Sequence, residues 1–365
     1  MKNDRQQTVT VLGCGGFIGS HLIEQLLDRT GYFIEGVDLH SDKIDRHLSR
    51  KQLHFNRQDV HDTDSLRPLL EKSGTVISLA ALCNPYLYNH NPVDVIESNF
   101  VRIYPLIQLC SELKCRLIHF STSEIYGKTL AGVYSPNGTC SDPSGYILNE
   151  ATSPLLLGPV EAQRWCYASA KQLLERAIYA YGFERDLNYT IIRPFNFIGP
   201  RMDFIPGVDG EGVPRVIACF MDALMHGKPL QLVDGGNNRR CFTAISDAVE
   251  AVLLMLEKPD AARRKIFNIG NPENETTIKD LAGMMRQLYG EISGQPADKV
   301  APVETVSSGV FYGAGYEDSD RRVPDIDAAV SLLGWKPAVA LDEALRTTIR
   351  GFLHHYTTTL SGLNE

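Results

Sequence analysis

The segment Thr8-Val-Thr-Val-Leu-Gly13-Cys-Gly-Gly16-Phe-Ile-Gly19 limits the possible folds more than any other part of the chain. Its first six residues read as a buried strand. The turn that follows opens a helix predicted from Phe17 to about Asp28, with Ile18, Leu22 and Leu26 on one face. In such a strand–turn–helix unit Gly13 permits the tight turn, Gly16 lets the backbone approach a pyrophosphate, and Gly19 lets helix and strand pack closely. The unpaired N–H groups and the dipole at the start of the helix, where Phe17 and Ile18 lie, favour an anion. Asp38 closes the second predicted strand, 19 residues after Gly19. A carboxylate there accepts hydrogen bonds from a ribose diol and repels a 2′-phosphate, so NAD is expected rather than NADP.

Further strands are expected at Tyr32–Asp38, Leu53–Gln58, Thr75–Ala80, Arg116–Ser121 and Thr190–Pro194. Helices are expected at Val93–Leu113, broken only by Pro105, and near Glu161–Tyr181. Alternating strands and helices predict an α/β fold, a doubly wound parallel sheet covered on both faces, with a smaller C-terminal substrate-binding lobe. The expected division is residues 1–194 plus about 231–267 for the NAD-binding domain, and about 195–230 plus 268–365 for the lobe. In that division a strand at Gln231–Val233 and the segment Cys241–Leu256 return to the large domain. The lobe contributes a helix near Val213–Met225 and, from Asn268 onward, helices near Ile278–Tyr289, Asp325–Leu333 and Leu341–His355. The stretch 128–159, rich in Gly, Pro and Ser, reads as a long functional loop.

Composition narrows the function. A formal net charge of -8 disfavours phosphate-rich polymers as partners, so no nucleic-acid role is expected. No segment approaches the ~20 apolar residues of a membrane span, and the N-terminus lacks the apolar run of a signal peptide. The eight cysteines show no paired Cys-x-x-Cys spacing. Reduced thiols, a cytoplasmic setting and no metal site are expected.

Two motifs carry chemistry. In Tyr167-Ala-Ser-Ala-Lys171 the phenol and the ammonium are four residues apart and share a helix face. The lysine is expected to lower the tyrosine pKa toward working pH, so that Tyr167 can take a hydroxyl proton as hydride leaves for NAD. Phe120-Ser-Thr122-Ser123-Glu124-Ile-Tyr-Gly lies at the carboxyl end of the fifth strand, where open α/β sheets bind ligands. Thr122 can hydrogen-bond the reacting oxygen, and Glu124 adds a carboxylate.

The Gly-x-x-Gly-x-x-Gly spacing resembles short-chain dehydrogenases. Gln58-Asp59-Val60 is similar to their acidic stretch near adenine. Leu79-Ala80-Ala81 is similar to the strand passing the nicotinamide ribose. Over essentially its whole length the chain resembles the extended members that decarboxylate UDP-glucuronic acid. Within them it resembles the plant-type UDP-apiose/UDP-xylose synthases and the decarboxylase domain of the 4-amino-arabinose lipid A pathway enzyme. The stretches that carry this include Gln163-Arg-Trp165, Arg193-Pro-Phe-Asn196, Gly199-Pro-Arg201-Met-Asp-Phe-Ile-Pro, Gly210-Glu-Gly-Val-Pro-Arg215, Asp234-Gly-Gly-x-x-x-Arg240 and Phe311-Tyr-Gly-x-Gly-Tyr316-x-Asp-Ser-Asp-x-Arg322. The resemblance implies oxidation at C4 by Tyr167, Lys171 and NAD, then loss of CO2 from a β-keto acid. It places Glu124 and Arg322 beside the carboxylate and C5, and Thr122 and Ser123 at the C4 oxygen and carboxylate. It offers Asn196, Arg201, Arg215, Arg240 and Tyr316 as substrate contacts, Arg215 and Arg240 for the pyrophosphate.

The resemblance divides on the product. The apiose-forming enzymes use two cysteines. One matches Cys83 and the other falls where this chain has Ser123, which ionises far less readily than a thiol. The main expectation is therefore decarboxylation to a UDP-4-keto-pentose or UDP-xylose, with two alternatives: ring contraction to UDP-apiose with Cys83 as its catalyst, or the reaction of another nucleotide-sugar epimerase/dehydratase. A 4,6-dehydratase would carry Thr-Asp-Glu instead of Thr-Ser-Glu. An idle NAD-binding protein would not need both Tyr167 and Lys171. The resemblance also implies a homodimer built on Val93–Leu113 and Glu161–Tyr181.

Overall fold

The computed structural model describes residues 5–134, 142–296, 299–312 and 317–362. Seven strands form the main sheet: β1 (Thr8–Leu12), β2 (Phe33–Asp38), β3 (Leu53–Arg57), β4 (Thr75–Ser78), β5 (Arg116–Phe120), β6 (Tyr189–Pro194) and β7 (Lys265–Ile269). Their spatial order is β7-β6-β5-β4-β1-β2-β3, all parallel. Strand order reverses between β1 and β4, and the crevice that opens there at the carboxyl ends is where such sheets take ligands.

Each face is sealed by its own apolar cluster. On one side α1 (Phe17–Arg29) brings Leu22, Ile23 and Leu26 against Val9, Val11 and Ile118, beside Val249 and Val252 of α5 (Ile245–Glu257). On the other, α2 (Tyr104–Leu113) and α3 (Cys166–Arg185) cover Leu12, Val76, Leu117 and Ile191. Pro105 does break the expected Val93–Leu113 helix. Residues Pro92–Ile96 form one short helix, Glu97–Val101 a wider π-type turn, and α2 begins with Pro105 in its first turn, where a missing N–H costs nothing.

A third cluster joins α4 (Val216–His226), α6 (Ile278–Ser293) and α7 (Leu341–Gly362) into the lobe. The expected strand at Gln231–Val233 does not return to the main sheet. It runs Leu230–Val233 and pairs with Val303–Val306, because Leu230 and Leu232 bury into this third cluster. Conversely Ala329, Leu333 and Trp335, expected in the lobe, pack into the first cluster, and the Trp335 indole donates to the Asp247 carbonyl at 2.8 Å.

The region after Asn268 is not only helical. A four-stranded sheet orders Glu275–Thr277, Arg239–Cys241, Arg321–Pro324 and Ile147–Leu148 side by side. Its strands are two to four residues long, too short to show a period. The last of them comes from the stretch read as a loop.

Candidate active site

The glycine turn is shaped by backbone crowding. Gly13 has φ +88, and a Cβ at Gly19 would lie 2.1 Å from the Gly13 carbonyl oxygen. A Cβ at Gly15 would lie 2.0 Å from the His40 carbonyl, so this glycine, which the 13/16/19 spacing does not count, is equally required. At Gly16, by contrast, a Cβ would meet only the Gly13 oxygen, at 3.3 Å. Gly16 has no side-chain cap, so the first N–H groups of α1 remain available to an anion. Asp38 accepts from the Gly15 N–H at 2.9 Å and the His40 N–H at 3.2 Å, which ties the end of β2 to the turn. Asp59 accepts from His61 N at 2.9 Å, and Val60 is a buried core residue. The Gln58 side-chain N–H₂, Ser78 Oγ and Ser121 Oγ are buried without protein partners at the carboxyl ends of β3, β4 and β5. Leu79 hydrogen-bonds back to Leu12, and Ala80 packs under Gly13. These features fit a dinucleotide lying across the sheet.

A cavity of about 640 Å³ opens from this crevice into the lobe. Phe17, Ile18, Leu79, Ala81, Cys83, Thr122, Ser123, Glu124, Tyr167, Asn196, Arg215, Arg240 and Arg322 line it. Thus one cavity brings together most of the residues singled out from the sequence, drawn from both halves of the chain. Arg201 is not among them. It faces α1, where its guanidinium donates to Glu24 and His21 at 2.9 and 2.8 Å. Tyr316 lies outside the described residues. Asn196 lines the cavity, and its amide donates to the Cys241 carbonyl at 2.9 Å.

Tyr167 sits where α3 meets the end of β5. Burial pushes its phenol well above the usual range, and Cys83 and Glu124 add to this, while a hydrogen bond with Thr122 and the charge of Arg215 pull it down. This corrects the expectation that Lys171 lowers the phenol toward working pH: burial outweighs the groups that pull it down, and these are Thr122 and Arg215. Lys171 is itself buried, donates to the Phe120 carbonyl at 2.9 Å and is pushed down to about 8 by burial, so its ammonium is partly spent anchoring β5. The Tyr88 ring stacks on Tyr167 with centroids 5.1 Å apart. The Cys83 thiol opens onto the same cavity, with burial raising its pKa and Arg215 opposing.

The far wall is charged. Arg240 and Arg322 are register partners in the four-stranded sheet. Arg240 donates to Asp318 at 2.6 Å, while Arg164 and Arg322 lie 3.6 and 4.0 Å from the same carboxylate. Burial works to raise Asp318, but the three arginines outweigh it and hold the carboxyl at about 2. Burial and the neighbouring Arg240 push Arg322 down to about 10, and its Nη1 is buried without a protein partner. Arg164 donates to Glu124 at 2.7 Å. Arg164, Asp318 and Tyr88 carry no assigned role in the sequence reading, although the first two lie inside the quoted stretches. Arg215 donates to Asp203 at 2.9 Å and faces Cys83 and Tyr88. Arg215 and Arg240 line the same cavity. Among the described residues no group of three or more His, Cys, Asp or Glu could hold a metal ion, and no helix is long and apolar enough to cross a membrane.

With this fold and crevice the protein is an NAD-dependent enzyme acting on nucleotide sugars. Residues 9–270 match the NAD dependent epimerase/dehydratase family, and the chain belongs to it. It is 48% identical over 353 residues to UDP-D-apiose/UDP-D-xylose synthase 1 of Arabidopsis thaliana, covering 94% of this chain and 90% of that one. It is 49% identical over 354 residues to the UDP-D-apiose/UDP-D-xylose synthase of Oryza sativa subsp. japonica, covering 94% and 88%. The crystal structure of PbgP3 protein from Burkholderia pseudomallei superposes with a TM-score of 0.82 at 31% identity, covering 96% of this chain and 98% of that one.

Proposed function

We propose that the chain decarboxylates UDP-glucuronic acid after oxidising C4, and that the reaction continues to both UDP-apiose and UDP-xylose. The observation that carries this is the meeting of Tyr167, Cys83, Glu124 and Arg322 in one cavity. The similarity to apiose/xylose synthases over nearly the whole chain moves the product away from the plain decarboxylase expected on the strength of Ser123 and toward ring contraction.

NAD, which the Gly13–Gly19 turn and Asp38 would hold, would supply the acceptor for the C4 hydride, a positive charge that favours the Tyr167 phenolate and, once reduced, the hydride that completes the pentose. Tyr167, steadied by Thr122, takes the C4 hydroxyl proton. The resulting 4-ketone makes the C5 carboxylate a β-keto acid, which loses CO2 as an enolate. Arg322, with a free N–H aimed at no protein group, stabilises that charge. Glu124, held by Arg164, stands ready to move a proton at C5. Cys83 beside Tyr167 supplies the thiol for the ring-opened branch, with Ser123 holding the substrate oxygen.

Incubation with UDP-glucuronic acid and NAD tests this, with mass spectrometry for CO2 loss and NMR for the pentose skeleton. A mixture of branched and unbranched UDP-pentoses is expected. Unchanged substrate contradicts the whole reading, and UDP-xylose or UDP-4-keto-pentose alone returns the plain decarboxylase.

We also infer a homodimer through the face where residues 92–113 pack beside α3. Val93, Val101, Tyr179 and Phe183 are exposed there, Phe183 at 82%. Light scattering should give twice the chain mass, and Phe183→Glu should lower it; a monomeric parent protein contradicts this.

A further inference from the structure

Arg201 was expected to touch the substrate, yet it points the other way and is fastened at three places. Its Nη2 donates to Glu24 Oε2 at 2.9 Å and to His21 Nδ1 at 2.8 Å, and its Nη1 donates to the Lys43 carbonyl at 3.3 Å. A guanidinium can only donate, so His21 Nδ1 must accept. The remaining Nε2–H then donates to the Pro200 carbonyl, 2.9 Å away. Burial and Arg201 push this histidine down to about 4, in keeping with a neutral ring that bridges Arg201 to the residue before it. His21 and Glu24 share a face of α1 with Phe17, whose ring meets the His21 ring edge-on at 5.7 Å. Phe17 itself lines the cavity at the start of the helix.

What this fastening holds is an unusual backbone. Arg201 has φ +67 and Asp203 φ +52, a left-handed conformation that an arginine adopts only under constraint. Asp203, so placed, accepts from both the backbone N–H and Nε of Arg215, at 3.1 and 2.9 Å through the same Oδ2. Arg215 faces Cys83 and Tyr88, and its charge reaches Tyr167. A continuous chain of contacts therefore runs from the cofactor-binding helix, through Arg201 and Asp203, to a guanidinium above the reacting end of the cavity.

We propose that Arg201 is a positioning residue: by locking its own left-handed backbone and that of Asp203 against α1, it sets Asp203 and, through it, the place of Arg215 in the catalytic cavity. Arg201 makes no contact with the sugar nucleotide. The inference rests on reading Arg215 as a residue of the sugar-binding cavity, and it adds that the helix receiving the pyrophosphate also fixes this arginine.

A double-mutant cycle on the full-length protein tests it, with Arg201→Gln, Arg215→Gln and the pair. It is read both on kcat/KM and on calorimetric affinity for UDP-glucuronic acid in the presence of NAD. Each single change should lower kcat/KM roughly 10- to 100-fold, as misplaced positioning groups do, and the double variant should be no worse than Arg215→Gln alone. Arg201→Lys, which keeps the charge beside Glu24, should restore part of the loss. Asp203→Asn, should Arg201→Gln fail to fold, must show the same non-additivity with Arg215→Gln. Losses that multiply, or that track melting temperature without a change in kcat/KM at a temperature where the variants are folded, overturn the proposal. If the parent protein does not turn over UDP-glucuronic acid, the proposed function fails, and the cycle read on affinity still decides the role of Arg201.

Discussion

Around Gly13–Gly19 the turn is shaped by close backbone approaches, whereas around Asp318 the cavity is shaped by charged side chains from separate stretches of chain: Glu124, Arg164, Arg240 and Arg322. The first region works by leaving atoms out, so that N–H groups can meet phosphate. The second works by crowding three guanidinium groups onto one carboxylate, which readies positive charge for an acidic sugar. Rigid absence suits a ligand that must always lie the same way. A charge cluster suits a group whose charge changes during reaction, because its field would already be set when the proposed enolate forms.

The two regions should fail differently. Asp318→Asn removes the anion that holds three buried arginines, and the largest effect is expected here: roughly 2 kcal/mol or more of stability lost at neutral pH, seen as a lower melting temperature. The folded carboxyl is held at about 2 against an ordinary 3.8, so its contribution is present above 3.8 and disappears as pH falls toward 2. The gap between parent and variant should therefore close over that interval in denaturant titrations. Gly15→Ala should cost about 1–3 kcal/mol through the clash with His40, read as weaker NAD binding with the charged wall intact. A smaller effect is expected from pH. Lys171 is pushed down to about 8, so kcat/KM should fall above that pH as the ammonium is lost, and Lys171→Met should remove this limb with most of the activity.

The same contrast explains what could be read from the sequence. The glycine turn, Asp38 and the Tyr167/Lys171 pair are local: each motif lies on one element or one strand-to-helix junction, where spacing translates directly into geometry. Six strands of the main parallel sheet were legible for the same reason, with ends within one or two residues, whereas the edge strand Lys265–Ile269 was not expected. The charged wall was reached only through the resemblance, which offered Glu124, Arg240 and Arg322 but gave no role to Arg164 or Asp318. Arg240 and Arg322 meet only because two short strands pair in parallel, and Arg164 finds Glu124 only because α3 begins beside the end of β5. No local period marks such meetings. Arg201 shows the opposite error, since a motif suggested contact with substrate and the fold spends that side chain on α1 instead. The phenol electrostatics were misjudged because spacing shows which residues share a face but not how deeply that face is buried.

The central claim is that oxidation at C4 belongs to the Tyr167 side of the cavity and loss of CO2 to the Arg322 side. Single-turnover measurements that follow reduced nicotinamide by absorbance and CO2 release in parallel, on Tyr167→Phe and Arg322→Ala, test it most directly. Tyr167→Phe should suppress both signals by ~10²-fold or more. Arg322→Ala should still form reduced nicotinamide but release CO2 late. Equal loss of both steps in Arg322→Ala would contradict the division.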